Sequence, residues 1–222
     1  MVTMLGSVAP AARGADGEPL RFERAARDAA CAGATAAARG VAAPSTPSTQ
    51  SCVLVLADMA AGSRAWGWSR IVRGIGALRA VPGLRFGKLL GSGQDGGFGL
   101  QPSATRQGMF LVFDDAARAA EFIACAPLMH AYRERTRELF TARLSAYSVR
   151  GTWSGTPLER AAQAPDAGPI AALTRASIRP AASARFWRHA PPSQAGLAQA
   201  RGCLSRSASA KVARAIGNAA AR

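Results

Sequence analysis

The chain has 222 residues, with 28 Lys plus Arg against 13 Asp plus Glu, a net charge of +15. Hydrophobic residues make up 49% of it, enough for one large domain or two of about 100 residues each, which excludes wholesale disorder and collagen-like or mucin-like chains. The basic excess is almost all arginine, Lys88 and Lys211 being the lysines, and no helix-turn-helix, zinc-finger or RNP pattern accompanies it, so no nucleic-acid partner is expected.

Residues 1–51 are Ala, Arg, Gly, Pro, Ser and Thr with few large apolar side chains, and the expectation is a disordered or spurious extension. A secretory signal needs an unbroken apolar run of about 7 residues, and Asp16, Glu18, Glu23 and Asp28 interrupt a transit-peptide reading. Cys31, Cys52, Cys125 and Cys203 form no CxxC pair, which argues against a zinc ribbon, a thioredoxin site or a disulfide framework and for a reducing compartment.

Order is expected from Cys52. Cys52 to Asp58 is an apolar run of strand length, and Arg64 to Leu78 carries Trp68, Ile71, Val72, Ile75 and Leu78 at helical spacing until Pro82-Gly83 stops it. Leu84 to Leu90 reads as a second strand, Gly91 to Gly99 as a loop, and Met109 to Phe113 as a third strand. That glycine loop lacks the GK[ST] of a phosphate loop. Asp114-Asp115 is read as a helix cap for Ala116 to Cys125, on which Cys125 is a packed thiol; Pro127 breaks the helix and Leu128 to Leu139 continues it. Phe140 to Tyr147 is the fourth strand.

The order β-α-β-β-α-β is that of a ferredoxin-like α+β unit over residues 52–155. A linker over 156–168 leads to a strand candidate, Pro169 to Ala176, and to a helix start at Arg185-Phe186-Trp187-Arg188 that parallels Ala65-Trp66-Gly67-Trp68. Residues 169–204 therefore read as an incomplete second copy, and 205–222 as a disordered tail. No apolar stretch approaches the about 20 residues of a spanning helix.

Several separated motifs resemble, in order and spacing, those of the spheroidene monooxygenase family of acyclic-carotenoid 2-ketolases. They are Trp66-Gly67-Trp68, Pro82 to Gly93, Arg150-Gly151-Thr152-Trp153-Ser154-Gly155, Pro169 to Arg179 and Arg185-Phe186-Trp187-Arg188-His189. The resemblance runs from about Val53 to about Leu204. It implies a ferredoxin-like fold of the dimeric αβ-barrel type. It also implies oxidation of an acyclic carotenoid at carbon 2 to a ketone, with O2 and reduced ferredoxin, on a heme cofactor. Beyond Leu204 the family pattern is lost. Leu204 to Lys211, written in GC-rich codons and read from the third base, gives Val-Ala-Val-Gly-Ile-Gly-Glu, the segment expected there, so the tail reads as a frameshift product, and the chain is either an enzyme of this kind or a broken, shortened relative of it.

If heme is bound through histidine, the choice lies between His130 and His189, and His189 beside Phe186-Trp187 is preferred as cofactor-binding and iron-binding residue. Lys88 is the candidate partner of a heme propionate. Trp66, Trp68, Phe86, Trp153, Phe186 and Trp187 are the candidates to line an apolar substrate slot, although buried aromatics are more often plain core. The expected location is the cytoplasm, with peripheral contact at the inner face of the membrane that holds so apolar a substrate. The alternative reading is a non-enzymatic module that binds heme or a hydrophobic ligand.

Overall fold

The computed structural model describes residues 2–10, 50–93, 102–162, 170–175 and 209–210. In chain order these give β1 (Val2–Pro10), β2 (Ser51–Met59), α1 (Arg64–Arg73), β3 (Leu84–Gly93), β4 (Pro102–Phe113), α2 (Ala116–Cys125), α3 (Pro127–Arg135), β5 (Thr136–Arg150), β6 (Ile170–Arg175) and β7 (Ser209–Ala210). They build one sheet in the order β6-β1-β5-β2-β4-β3-β7, with every neighbouring pair antiparallel. The four central strands, β5-β2-β4-β3, have the order and the α+β connections of the expected βαββαβ unit.

β2 sits at the centre and is apolar at almost every position because both of its faces are covered. Val53, Val55, Ala57 and Met59 point to the helix side. There they pack with Met109, Leu111 and Phe113 of β4 and with Ala119, Phe122, Met129 and Tyr132 of α2 and α3. Cys52 and Leu54 point the other way, onto Phe110 and Val112 of β4 and Ala142 and Leu144 of β5. Two layers of side chains thus flank one sheet, and the period of two along β2 assigns each residue to its layer.

Local chemistry sets the boundaries. Gly74 ends α1 with φ 62°, a conformation that costs glycine little. Within α1, Gly67 lets the helix approach the sheet: a Cβ there would lie 2.4 Å from Gln107 Nε2 and 3.0 Å from Met59 Cγ. The Asp115 carboxylate caps α2 by accepting from the Arg118 amide at 2.8 Å, as the Asp114-Asp115 pair implied, while Asp114 pairs with Arg85 instead. Pro127 opens α3 at its first turn, where its missing N–H costs nothing.

The structure departs from the sequence reading in several places. β5 begins at Thr136, four residues before Phe140, because β2 continues to Met59 and offers ladder partners to Thr136, Glu138 and Leu139; Leu139 belongs to the sheet and not to a helix stripe. β4 begins at Pro102, since the polar residues ahead of Met109 pair with β2 and β3 on both sides. Cys125, read as a packed thiol in a chain without disulfides, is disulfide-bonded. Val2–Pro10, placed in an unstructured extension, forms β1 along the free edge of β5, an edge whose unpaired N–H and C=O groups seek a partner. β6 matches the strand candidate at Pro169 to Ala176 but pairs with β1, so it widens the first sheet. Ser209 and Ala210, within the expected disordered tail, pair with β3 as β7.

At one end of the sheet the buried carboxylate of Asp58 accepts from Arg137 at 2.7 Å and faces Arg106 at 3.5 Å. Burial on its own would raise the Asp58 pKa, but the hydrogen bond and charge of Arg137, with a hydrogen bond from Thr105 and the charge of Arg106, outweigh it and hold the carboxyl below its usual 3.8. A depressed folded-state pKa stabilises the fold above the unfolded value and ceases to do so as pH falls through the folded one. Urea denaturation of wild type and Asp58→Asn is therefore expected to show a stability gap that is constant near neutrality and closes only below about pH 4, within the unfolded carboxyl range. A gap that widened on acidification would contradict this assignment.

Candidate functional site

The face of the sheet opposite the helices is the candidate site. Phe86, Lys88 and Leu90 alternate along β3 and lie on the side of Phe110 and Val112, because Phe86 pairs with Val112 and Lys88 with Phe110. Leu54 of β2 and Ala142 of β5 complete the row across Phe110. Lys88 holds its ammonium 5.4 Å from the centre of the Phe86 ring, a cation on an otherwise apolar surface.

Trp153 is brought onto this face by a tight turn. Ser154 and Gly155 both have positive φ, 53° and 84°, and Trp153 and Thr156 exchange main-chain hydrogen bonds at 2.9 and 3.0 Å. That is the geometry of a two-residue hairpin, which demands residues tolerant of positive φ at both central positions. It gives the Arg150 to Gly155 motif a mechanical meaning: the turn places the indole. The Trp153 ring stacks on Phe110 at 4.8 Å between centroids and tilts against Phe86 at 5.7 Å. Leu158 follows it into the same layer, and the Glu159 amide donates to Gln50 Oε1 at 2.8 Å to fix the segment.

Of the residues singled out from sequence, the structure thus brings Phe86, Trp153 and Lys88 together. It does not bring Trp66 and Trp68 to them. Trp66 lies on α1, on the other side of the sheet, edge-on to Tyr132 at 5.1 Å with the guanidinium groups of Arg70 and Arg135 at 5.3 and 5.2 Å from its ring. Trp68 is half-buried on the same helix. Family motifs put the four aromatics forward together, and only the layer each element occupies separates them. Phe186, Trp187 and His189 lie outside the described residues. His130 is exposed on α3, in the helix layer.

Sequence reasoning missed Phe110, Leu54 and Leu90 as members of the site. The available signal was the period of two along Met109 to Phe113 and along β2, which puts Phe110 and Leu54 on one face and their neighbours on the other. Cys52 also lies in this layer, and burial pushes its thiol up to about 12, so it is a neutral packing group and not a thiolate. On the helix side, burial likewise raises Tyr132 to about 12, and its hydroxyl donates to Gln107 Oε1 at 3.3 Å. The cavity between α1 and α3, lined by Arg70, Leu78, Leu89, Leu128 and Tyr132, has a volume of about 10 Å³, room for no more than a water. Among the described residues no group of three His, Cys, Asp or Glu side chains could hold a metal ion.

The chain is 50% identical over 151 residues to a spheroidene monooxygenase of Rubrivivax gelatinosus, which covers 68% of this chain and 59% of the relative. It is 33% identical over 130 residues to a spheroidene monooxygenase of Rhodobacter capsulatus, covering 57% of this chain and 54% of the relative. A third of that name, from Cereibacter sphaeroides, is 32% identical over 115 residues, covering 51% and 36%. The chain therefore spans between about a third and three fifths of the length of these curated relatives. No protein-family model and no solved structure matches it.

Proposed function

We propose that this chain, homologous over 151 residues to the spheroidene monooxygenases, is the carotenoid-holding part of a monooxygenase that oxidises an acyclic carotenoid at carbon 2 to a ketone. The observation that carries the reading is the apolar sheet face on which half-buried Phe86, Leu54 and Leu90 stand against the buried Phe110 and Trp153, lying within a chain of that kinship. A polyene has no hydrogen-bonding groups along its length, so only a long apolar surface retains it, and flat rings match its flat π-system. On the helix side, the cavity between α1 and α3 has room for one water. In this reading the face is closed in the dimeric αβ-barrel manner by a second ferredoxin-like half.

The reaction consumes one O2, two protons and two electrons from reduced ferredoxin in each hydroxylation, giving an alcohol and one water. A second round on the same carbon gives a geminal diol that loses water to the ketone. Side chains alone do not activate O2, and heme is the cofactor assigned to that task. Of the described residues, His130 is exposed in the helix layer and Cys52 is a neutral, buried thiol, which supports looking beyond both for the iron ligand. The ligand assigned here is His189. What the described residues do is bind and orient: the aromatic row holds the polyene, and Lys88 is the cation beside it toward which a propionate would turn.

Expression in a host that makes spheroidene tests this. A version extended to the length and reading frame of the relatives is expected to convert the pigment to its ketone, with a Soret band in the purified protein that His189→Ala removes. Absence of ketone with an intact Soret band would shift the reading to a non-enzymatic heme-binding module. Absence of both would leave a hydrophobic-ligand module.

A further inference from the structure

Between Asp58 and Asp95 the sequence carries Arg64, Arg70, Arg73, Arg79, Arg85 and Lys88 and no acidic residue. α1 lies at the start of this run. Its Gly67 faces the sheet, against Gln107 and Met59, and helical spacing puts Ala65, Trp68 and Val72 in a line on the side away from it. Val72 is 75% exposed, Ala65 is exposed and Trp68 is half-buried. Arg64 and Arg73 stand exposed at the two edges of that line, and Arg79, Ala80 and Pro82, farther along the chain, are exposed as well. On the neighbouring α3, Glu134 is paired with Arg135 at 3.0 Å and does not neutralise the α1 arginines.

We propose that this outward face of α1 docks on an anionic lipid bilayer. An exposed valine and a tryptophan between flanking arginines is the arrangement of an interfacial element. The apolar residues enter the headgroup boundary, the indole sits where apolar meets wet, and the long arginine stems let the guanidinium groups reach lipid phosphates. An acidic protein surface would satisfy the arginines but would leave Val72 against polar groups, so the bilayer is the better match. Among the described residues no helix is long and apolar enough to cross a membrane, so the contact is peripheral. The inference stands apart from the oxygenase reading, because lipid binding is measured without turnover.

The test is co-sedimentation of the full chain with vesicles of phosphatidylcholine alone and of phosphatidylcholine mixed with phosphatidylglycerol. Binding is expected to the anionic vesicles at low salt and to weaken as salt is raised. The double variant Arg64→Ala, Arg73→Ala is expected to lower that partition by about 30-fold, the effect of removing two cations near an anionic surface. Val72→Glu is expected to lower it by on the order of tenfold or more. All three positions are exposed, and matching far-UV circular dichroism of variants and wild type confirms that the fold is kept. Equal binding to neutral and anionic vesicles, or partition unchanged in both variants, would overturn the proposal. So would capture of the chain by an acidic protein when neither kind of vesicle binds it.

Discussion

Truncating Trp153 to alanine is expected to cost about 3–5 kcal/mol of stability, measured as a lowered urea midpoint with little change in slope. The side chain is 5% exposed, stacks on Phe110 and meets Phe86, so its loss opens a hole across three elements. Neighbouring side chains cannot close it without leaving their rotamers, since Phe110 and Val112 are held by the ladder on both sides of β4. Trp153→Phe is expected to recover most of the loss, because a ring still fills the gap over Phe110. Trp153→Phe together with Phe86→Ala reads the proposed function. If the aromatic row holds the polyene, Trp153→Phe keeps carotenoid binding close to wild type, while Phe86→Ala, at the half-buried end of the row, weakens it by on the order of tenfold at little cost to the fold. Unchanged retention of carotenoid in Phe86→Ala would remove the sheet face from the site.

Tyr132→Ala is expected to be as damaging, again by about 3–5 kcal/mol, yet for a different reason and with a different functional signature. Tyr132 is 1% exposed in the helix-side core, edge-on to Trp66, and its hydroxyl is bonded to the buried Gln107. Alanine removes the ring contact and strands the Gln107 amide; phenylalanine removes only the hydrogen bond and is expected to cost about 1 kcal/mol. Because the whole sheet separates Tyr132 from Phe86, Tyr132→Phe is expected to leave carotenoid binding unaltered. Thermal melts alongside pigment binding check both halves of this. A Tyr132→Phe protein that folds but loses pigment would place the substrate on the helix side, against the smallness of the cavity there.

The motifs that carried the family resemblance have identifiable physical work in the structure. Pro82-Gly83 turns the chain into β3 with Gly83 at φ 70°, and the Gly83 carbonyl accepts from the Asp114 amide at 2.9 Å. Trp66-Gly67-Trp68 seats α1 on the sheet at the one position without a side chain. Ser154-Gly155 makes the hairpin that delivers Trp153. Each was visible as a motif, but its task was not, because a turn or a close approach is defined by what lies opposite it.

The candidacy of Phe86, Trp153 and Lys88 rested on the family resemblance; by itself the sequence determined the βαββαβ order, the Asp115 cap and the break at Pro127. These follow from local rules: period two or 3.6, a carboxylate ahead of a helix, a ring with no N–H to donate. The tertiary structure alone decided that Trp66 and Phe86 stand on opposite sides of the sheet, that Leu139 belongs to β5, and that Val2–Pro10 closes an edge. Helix periodicity records which residues are buried but not against which layer, and a strand of weak apolar pattern such as β1 owes its place to the unpaired edge of β5. Such a partner lies more than a hundred residues away along the chain, as in the pairing of Val8 with Leu144, and pairing at that distance leaves no local mark in the sequence.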